Sequence, residues 1–99
     1  MLLAHARTLC DARSALAVLS DGASCIEASS AYEQVLITLD VLHGDGCPAI
    51  DTYGLPDGPG ELFNLAAHAL EELKTHGVDE LQVELLLALL DNATVLEIH

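Results

Sequence analysis

The apolar positions of the chain fall into four blocks, each with helical spacing. Over residues 2–20, Leu2, His5, Leu9, Ala12, Leu16 and Leu19 recur at alternating intervals of three and four, with Arg7, Asp11 and Ser14 opposite. That is the pattern of a helix with one buried face. Ser20-Asp21-Gly22 breaks it. The second block, residues 24–43, carries Ala28, Tyr32, Val35, Leu36, Leu39 and Leu42 on its main stripe and Ile26, Ile37 and Val41 on another side. Ser24-Cys25-Ile26-Glu27 has the form of a capping box, which predicts Ser24 as N-cap, and Gly44 is placed to end the helix.

The third block, 59–76, aligns Leu62, Leu65, Ala66, Ala69, Leu70 and Leu73, leaving Glu61, Asn64, His68, Glu71 and Glu72 outward. Pro59 suits a first helical turn, and Gly77 suits the left-handed position after a last one. Asp79, with Gln82 three residues on, then opens a fourth helix over 79–93. The last two helices are thus expected to form a tight αα-hairpin.

Leu85, Leu86, Leu87, Ala88, Leu89 and Leu90 run without a break, and only Glu84 and Asp91 provide a polar edge. A helix apolar over roughly three quarters of its circumference is expected to be buried. The pattern predicts an all-α fold of one domain over residues 1–99, an antiparallel four-helix arrangement (2–20, 24–43, 59–76, 79–93). Because ~99 residues rarely wrap a helix completely, the surplus apolar surface predicts a homodimer. Val83, Leu86, Leu87 and Leu90 of the fourth helix would lie at its interface, with Ile37 and Val41 of the second.

Between the second and third helices lies a loop, 44–60, with five of the seven glycines and all three prolines. Loops this long in small domains are often functional. Its Asp45, Cys47, Asp51, Tyr53 and Asp57 are the candidate partner-binding residues. Residues 49–53 and 94–98 both have strand-like composition, so the C-terminal segment reads either as a short strand paired with 49–53 or as a continuation of the fourth helix.

Composition narrows the class of function. With 52% apolar residues the chain is no disordered tail, and three aromatics, none of them Trp, describe an aliphatic core. Sixteen Asp and Glu oppose Arg7, Arg13 and Lys74, and beyond residue 20 there are fifteen acids and one cation. Such a surface repels nucleic acid and anionic membrane, which bind through Lys and Arg. It would attract a basic protein. Cys10, Cys25 and Cys47 are odd in number with no C-x-x-C, which fits a reducing compartment. No apolar run approaches the ~20 residues of a spanning helix, and His5, Arg7, Asp11 and Arg13 interrupt what would be a signal peptide, so the cytoplasm is the expected location.

The chemical motifs are weak. No Glu has a His three residues later and H-E-x-x-H is absent, so no metal or other cofactor is expected. His43-x-Asp45-x-Cys47 and the pair His68 and Glu72 are the nearest approaches to a metal site. A nucleophile built on Cys47 with His43 as base is opposed by Asp40, Asp45 and Asp51, whose charge disfavours a thiolate. His5 falls in an apolar stripe, where a hydrogen-bonded core or interface histidine is the ordinary explanation, and His76 suits the end of a helix dipole. The leading expectation is a non-catalytic helical protein that dimerises and binds another protein. A nucleic-acid mimic or antitoxin-like inhibitor that occupies a basic groove, and a small accessory enzyme using residues 43–47, are the alternatives.

Overall fold

A computed structural model describes residues 2–44 and 47–98. Its helices are α1 (Leu3–Asp21), α2 (Ile26–His43), α3 (Pro59–Glu72), followed directly by a 3-10 turn (Leu73–His76), and α4 (Glu80–Ile98). No strand is present among the described residues. Thr94–Ile98 continues α4, so the strand pairing with 49–53 is not formed: Ala93 extends the buried row of Val83, Leu86 and Leu90, and helix period wins over strand-like composition.

The helices make a four-cornered ring. α1 packs on both α2 and α3, α2 packs on α4, and a lighter contact between α3 and α4 closes the circle. Neighbours are antiparallel. The first turn of α1 meets the last of α2 through His5 and His43, the start of α2 meets the end of α4 through Ser24 and Glu97, and Thr8 of α1 meets Glu72 at the end of α3. The core is the shared interior: Leu9, Leu16, Val35, Leu39, Leu70, Leu73, Val83, Leu86 and Leu90 are fully enclosed.

The ring explains the long loop. α2 ends at the same end of the bundle where α1 begins, whereas α3 starts at the other end, so the connection must travel back along the length of α1, about 28 Å for 19 residues. It is tied to α1 on the way. Arg13 donates to the Pro48 carbonyl and pairs with Asp40 at 2.7 Å, the Cys10 thiol donates to Ala49 O at 3.5 Å, and the buried Ser14 hydroxyl accepts from the Asp51 amide at 2.9 Å. Tyr53 N–H in turn donates to Asp51 Oδ1 at 3.0 Å. This strap does the work of a crossover connection.

Two local expectations resolve differently. Cys25, not Ser24, is the N-cap of α2, its sulfur accepting from the Ala28 amide at 3.5 Å. Ser24 is instead held by α4, its amide donating to Glu97 Oε1 at 2.8 Å, so tertiary contact overrides the capping box. The αα-hairpin forms as expected. Gly77 is left-handed (φ 92°), Val78 N–H reaches Leu73 O at 3.2 Å, and Asp79 Oδ1 accepts from the Leu81 amide at 3.4 Å.

The leucine-rich helix is not buried all round. In a ring, each helix touches two neighbours and keeps an outer side, and α4 leaves Leu81 (72% exposed), Leu85 (48%) and Val95 (51%) there. The total accessible surface is 5692 Å², close to the roughly 5400 Å² typical of a 10.4 kDa monomer. The chain closes its own core.

Candidate functional site

Three histidines from three elements meet at one end of the bundle. His5 comes from the first turns of α1, His43 is the last residue of α2, and His76 ends the 3-10 turn. They meet because α1 begins where α2 and α3 finish. His43 Nδ1 lies 2.9 Å from Leu39 O. A carbonyl only accepts, so Nδ1 carries the proton and Nε2 presents a lone pair. That lone pair is 3.1 Å from His5 Nε2. His76 stacks on His5, with ring centroids 5.2 Å apart and planes within 5°.

Thr8 of α1 holds the third ring beside His5. The Thr8 hydroxyl has one proton and three neighbours, Ala4 O at 3.1 Å, Glu72 Oε2 at 3.5 Å and His76 Nε2 at 3.3 Å, and so ties His76 into the cluster. Burial, then the nearby His43 and His76, then the terminal ammonium, push the His5 pKa below its ordinary value. His5 is therefore neutral at pH 7. The rings border a cleft of about 410 Å³, whose other walls include Leu42, Val78 and Asp79. Among the described residues no three His, Cys, Asp or Glu side chains are grouped to hold a metal ion.

A smaller cavity of about 180 Å³ lies at the opposite end, lined by Leu19, Tyr32, Asp57, Leu62 and Glu97. Glu97 Oε2 is buried there without a hydrogen-bond partner, while Oε1 takes the Ser24 amide. Burial raises the Tyr32 pKa, opposed by its bond to Thr94 and reinforced by Glu97.

The residues singled out from the sequence distribute unevenly. Of the loop set, Asp51, Tyr53 (93% exposed) and Asp57 face outward, Cys47 packs half-buried against the core, and Asp45 lies outside the described residues. His43 spends Nδ1 on Leu39 and directs Nε2 to His5, so neither nitrogen is left to act as base for Cys47, whose thiol donates to Gly44 O at 3.5 Å. His68 is exposed on α3, and Glu72 accepts from Thr8 at 3.5 Å.

Of the expected interface set, Val83, Leu86 and Leu90 are consumed by the chain's own core, Leu87 is half-buried, and Ile37 and Val41 are exposed. Outward on α4 are instead Leu81, Leu85, Ala88, Asn92 and Val95. Their intervals of four, three, four and three were present in the sequence, but the unbroken run around them hid which side would face out. The histidine cluster is not legible in the sequence for a different reason. Each histidine had a local explanation, and only the antiparallel topology, which puts positions 5, 43 and 76 at one end, brings them together.

Compared with known proteins, the chain matches no family model, no curated protein and no solved structure. No helix among the described residues is long and apolar enough to cross a membrane.

Proposed function

We propose that this chain is a non-catalytic helical protein that works by association, with a second copy of itself seated on the outer side of α4. One observation carries the reading. Leu81, Leu85, Ala88, Asn92 and Val95 form an exposed row with the intervals of a coiled-coil seam, in which Ala88 permits close approach and Asn92 is the single polar position that sets register. The antiparallel pairing of α2 with α4, fixed by Cys25 on Leu96 O and Ser24 on Glu97, puts Ile26, Ile37 and Val41 level with Val95, Leu85 and Leu81. All three are exposed, Ile26 at 81%.

The seam spans two heptads, so its self-association belongs to the weak, concentration-dependent class rather than the obligate one. Of the 44–60 loop, Asp51, Tyr53 and Asp57 have exposed side chains to offer a partner, while the backbone at Pro48, Ala49 and Asp51 is tied to α1. A reducing compartment such as the cytoplasm suits the half-buried thiols of Cys10 and Cys25.

Sedimentation velocity over a range of concentrations tests the reading. Wild type should pass from monomer to dimer as concentration rises, and Leu85→Glu, at a half-exposed position, should keep its helical circular dichroism while remaining monomeric. A wild type that stays monomeric at high micromolar concentration, or a Leu85→Glu variant that associates as wild type does, would overturn it.

A further inference from the structure

We propose that His5 and His43 form a two-histidine clamp for a divalent transition-metal ion of the zinc, nickel or copper kind. The clamp would sit at the end of the bundle where α1 begins and α2 ends, and it is independent of self-association because both ligands belong to one chain.

The geometry of the pair carries the argument. Two imidazole nitrogens bound to one tetrahedral ion at ~2.05 Å stand about 3.3 Å apart, and about 2.9 Å apart at adjacent corners of a square or octahedron. His5 Nε2 and His43 Nε2 are 3.1 Å apart, between those two values. The ring of His43 is already held as metal-bound histidines are held, its Nδ1–H donating to the Leu39 carbonyl and its Nε2 lone pair directed into the cluster. His5 needs one change. In the metal-free protein its Nε2–H donates to His43; to bind, that proton leaves Nε2 for solvent while Nδ1 takes one up, so the ring stays neutral and offers Nε2 to the ion.

His76 does not complete a triad. Its plane is within 5° of that of His5 at a centroid distance of 5.2 Å, so the in-plane lone pairs of the two rings run side by side and do not converge. It is a wall that orients His5, itself anchored by Thr8. The remaining coordination positions open on the cleft of about 410 Å³ beside Leu42, Val78 and Asp79, where water or a small anionic or nitrogenous ligand has room. A bound ion would also staple α1 to α2 across 38 residues of sequence, which links metal binding to stability.

The test uses the full chain stripped with chelator and titrated with Zn²⁺ and, separately, Ni²⁺ by calorimetry. One ion should bind per chain, with an affinity reduced at least tenfold in His5→Ala and in His43→Gln and unchanged in His68→Ala, whose ring is exposed on α3. Metal should raise the melting temperature of wild type and of His68→Ala but not of the two clamp variants, each of which should retain wild-type helical content without metal. Binding that is equally strong in His5→Ala or His43→Gln, or that falls as far in His68→Ala, would overturn the assignment, and so would the absence of binding at millimolar metal.

Discussion

At the scale of single residues, the polar groups inside the ring are where local chemistry sets stability. Tyr32 is 3% exposed, and burial raises its pKa. A raised phenol means the folded state holds its proton more tightly than the unfolded chain does, whose tyrosines titrate near 10. The contribution is fully present below about pH 10 and is lost as pH rises from there through the folded-state value. Urea unfolding should show stability falling above about pH 10 in wild type, with a shallower fall in Tyr32→Phe. At neutral pH the variant should be weaker by about 1 kcal/mol, for the lost bond to Thr94. Parallel pH slopes in the two proteins would contradict this account. Arg13 is the other internal polar anchor. Its hydrogen bond to Asp40 raises its pKa and keeps it charged, and the same guanidinium holds the Pro48 carbonyl, so one side chain fastens α2 and the return strap to α1.

At the scale of elements, burial divides the leucines of α4 in a way that substitution can measure. Leu90 is fully enclosed and Leu85 is 48% exposed. Leu90→Ala should cost about 2–5 kcal/mol through lost transfer energy and a cavity, and Leu85→Ala less than about 1 kcal/mol in the monomer. Equal losses by chemical denaturation would mean that α4 is seated differently. Gly77, at φ 92° with open space around the position a Cβ would take, should cost about 1 kcal/mol on replacement by Ala, from backbone strain alone. All four helices and the hairpin were legible in the sequence because period, Pro59, Gly77 and Asp79 are local signals that agree with one another. Three features were not legible, each for a tertiary reason. The cap of α2 moved to Cys25 because Glu97 took Ser24. The outer side of α4 could not be chosen from a run apolar all round. The return of the loop along α1 follows from the ring order of the helices, which no local signal carries.

At the scale of the whole molecule, charge and the exposed seam act against each other. The formal net charge is −13 at pH 7, and two of the three cations are already neutralised, Arg13 by Asp40 and Lys74 by Glu71. Glu84 and Asp91 flank the seam itself and are exposed. Two copies meeting there therefore bring like charges together, a repulsion that salt screens over a Debye length of about 10 Å at 0.1 M. Contact between the leucines and Val95 is not screened, and moderate salt strengthens apolar burial if it changes it at all. Self-association through α4 should accordingly tighten when sodium chloride is raised from 50 to about 500 mM, the opposite of what a basic partner would show, since opposite charges lose attraction over the same range. Neutralising the rim should mimic the salt: Glu84→Gln with Asp91→Asn should dimerise at low salt about as well as wild type does at high salt, with no change in helical content, because both side chains lie outside the core. Sedimentation equilibrium at the two salt concentrations separates the possibilities. A dimer that loosens with added salt, or one that ignores the two rim substitutions, would place the contact somewhere other than the outer side of α4.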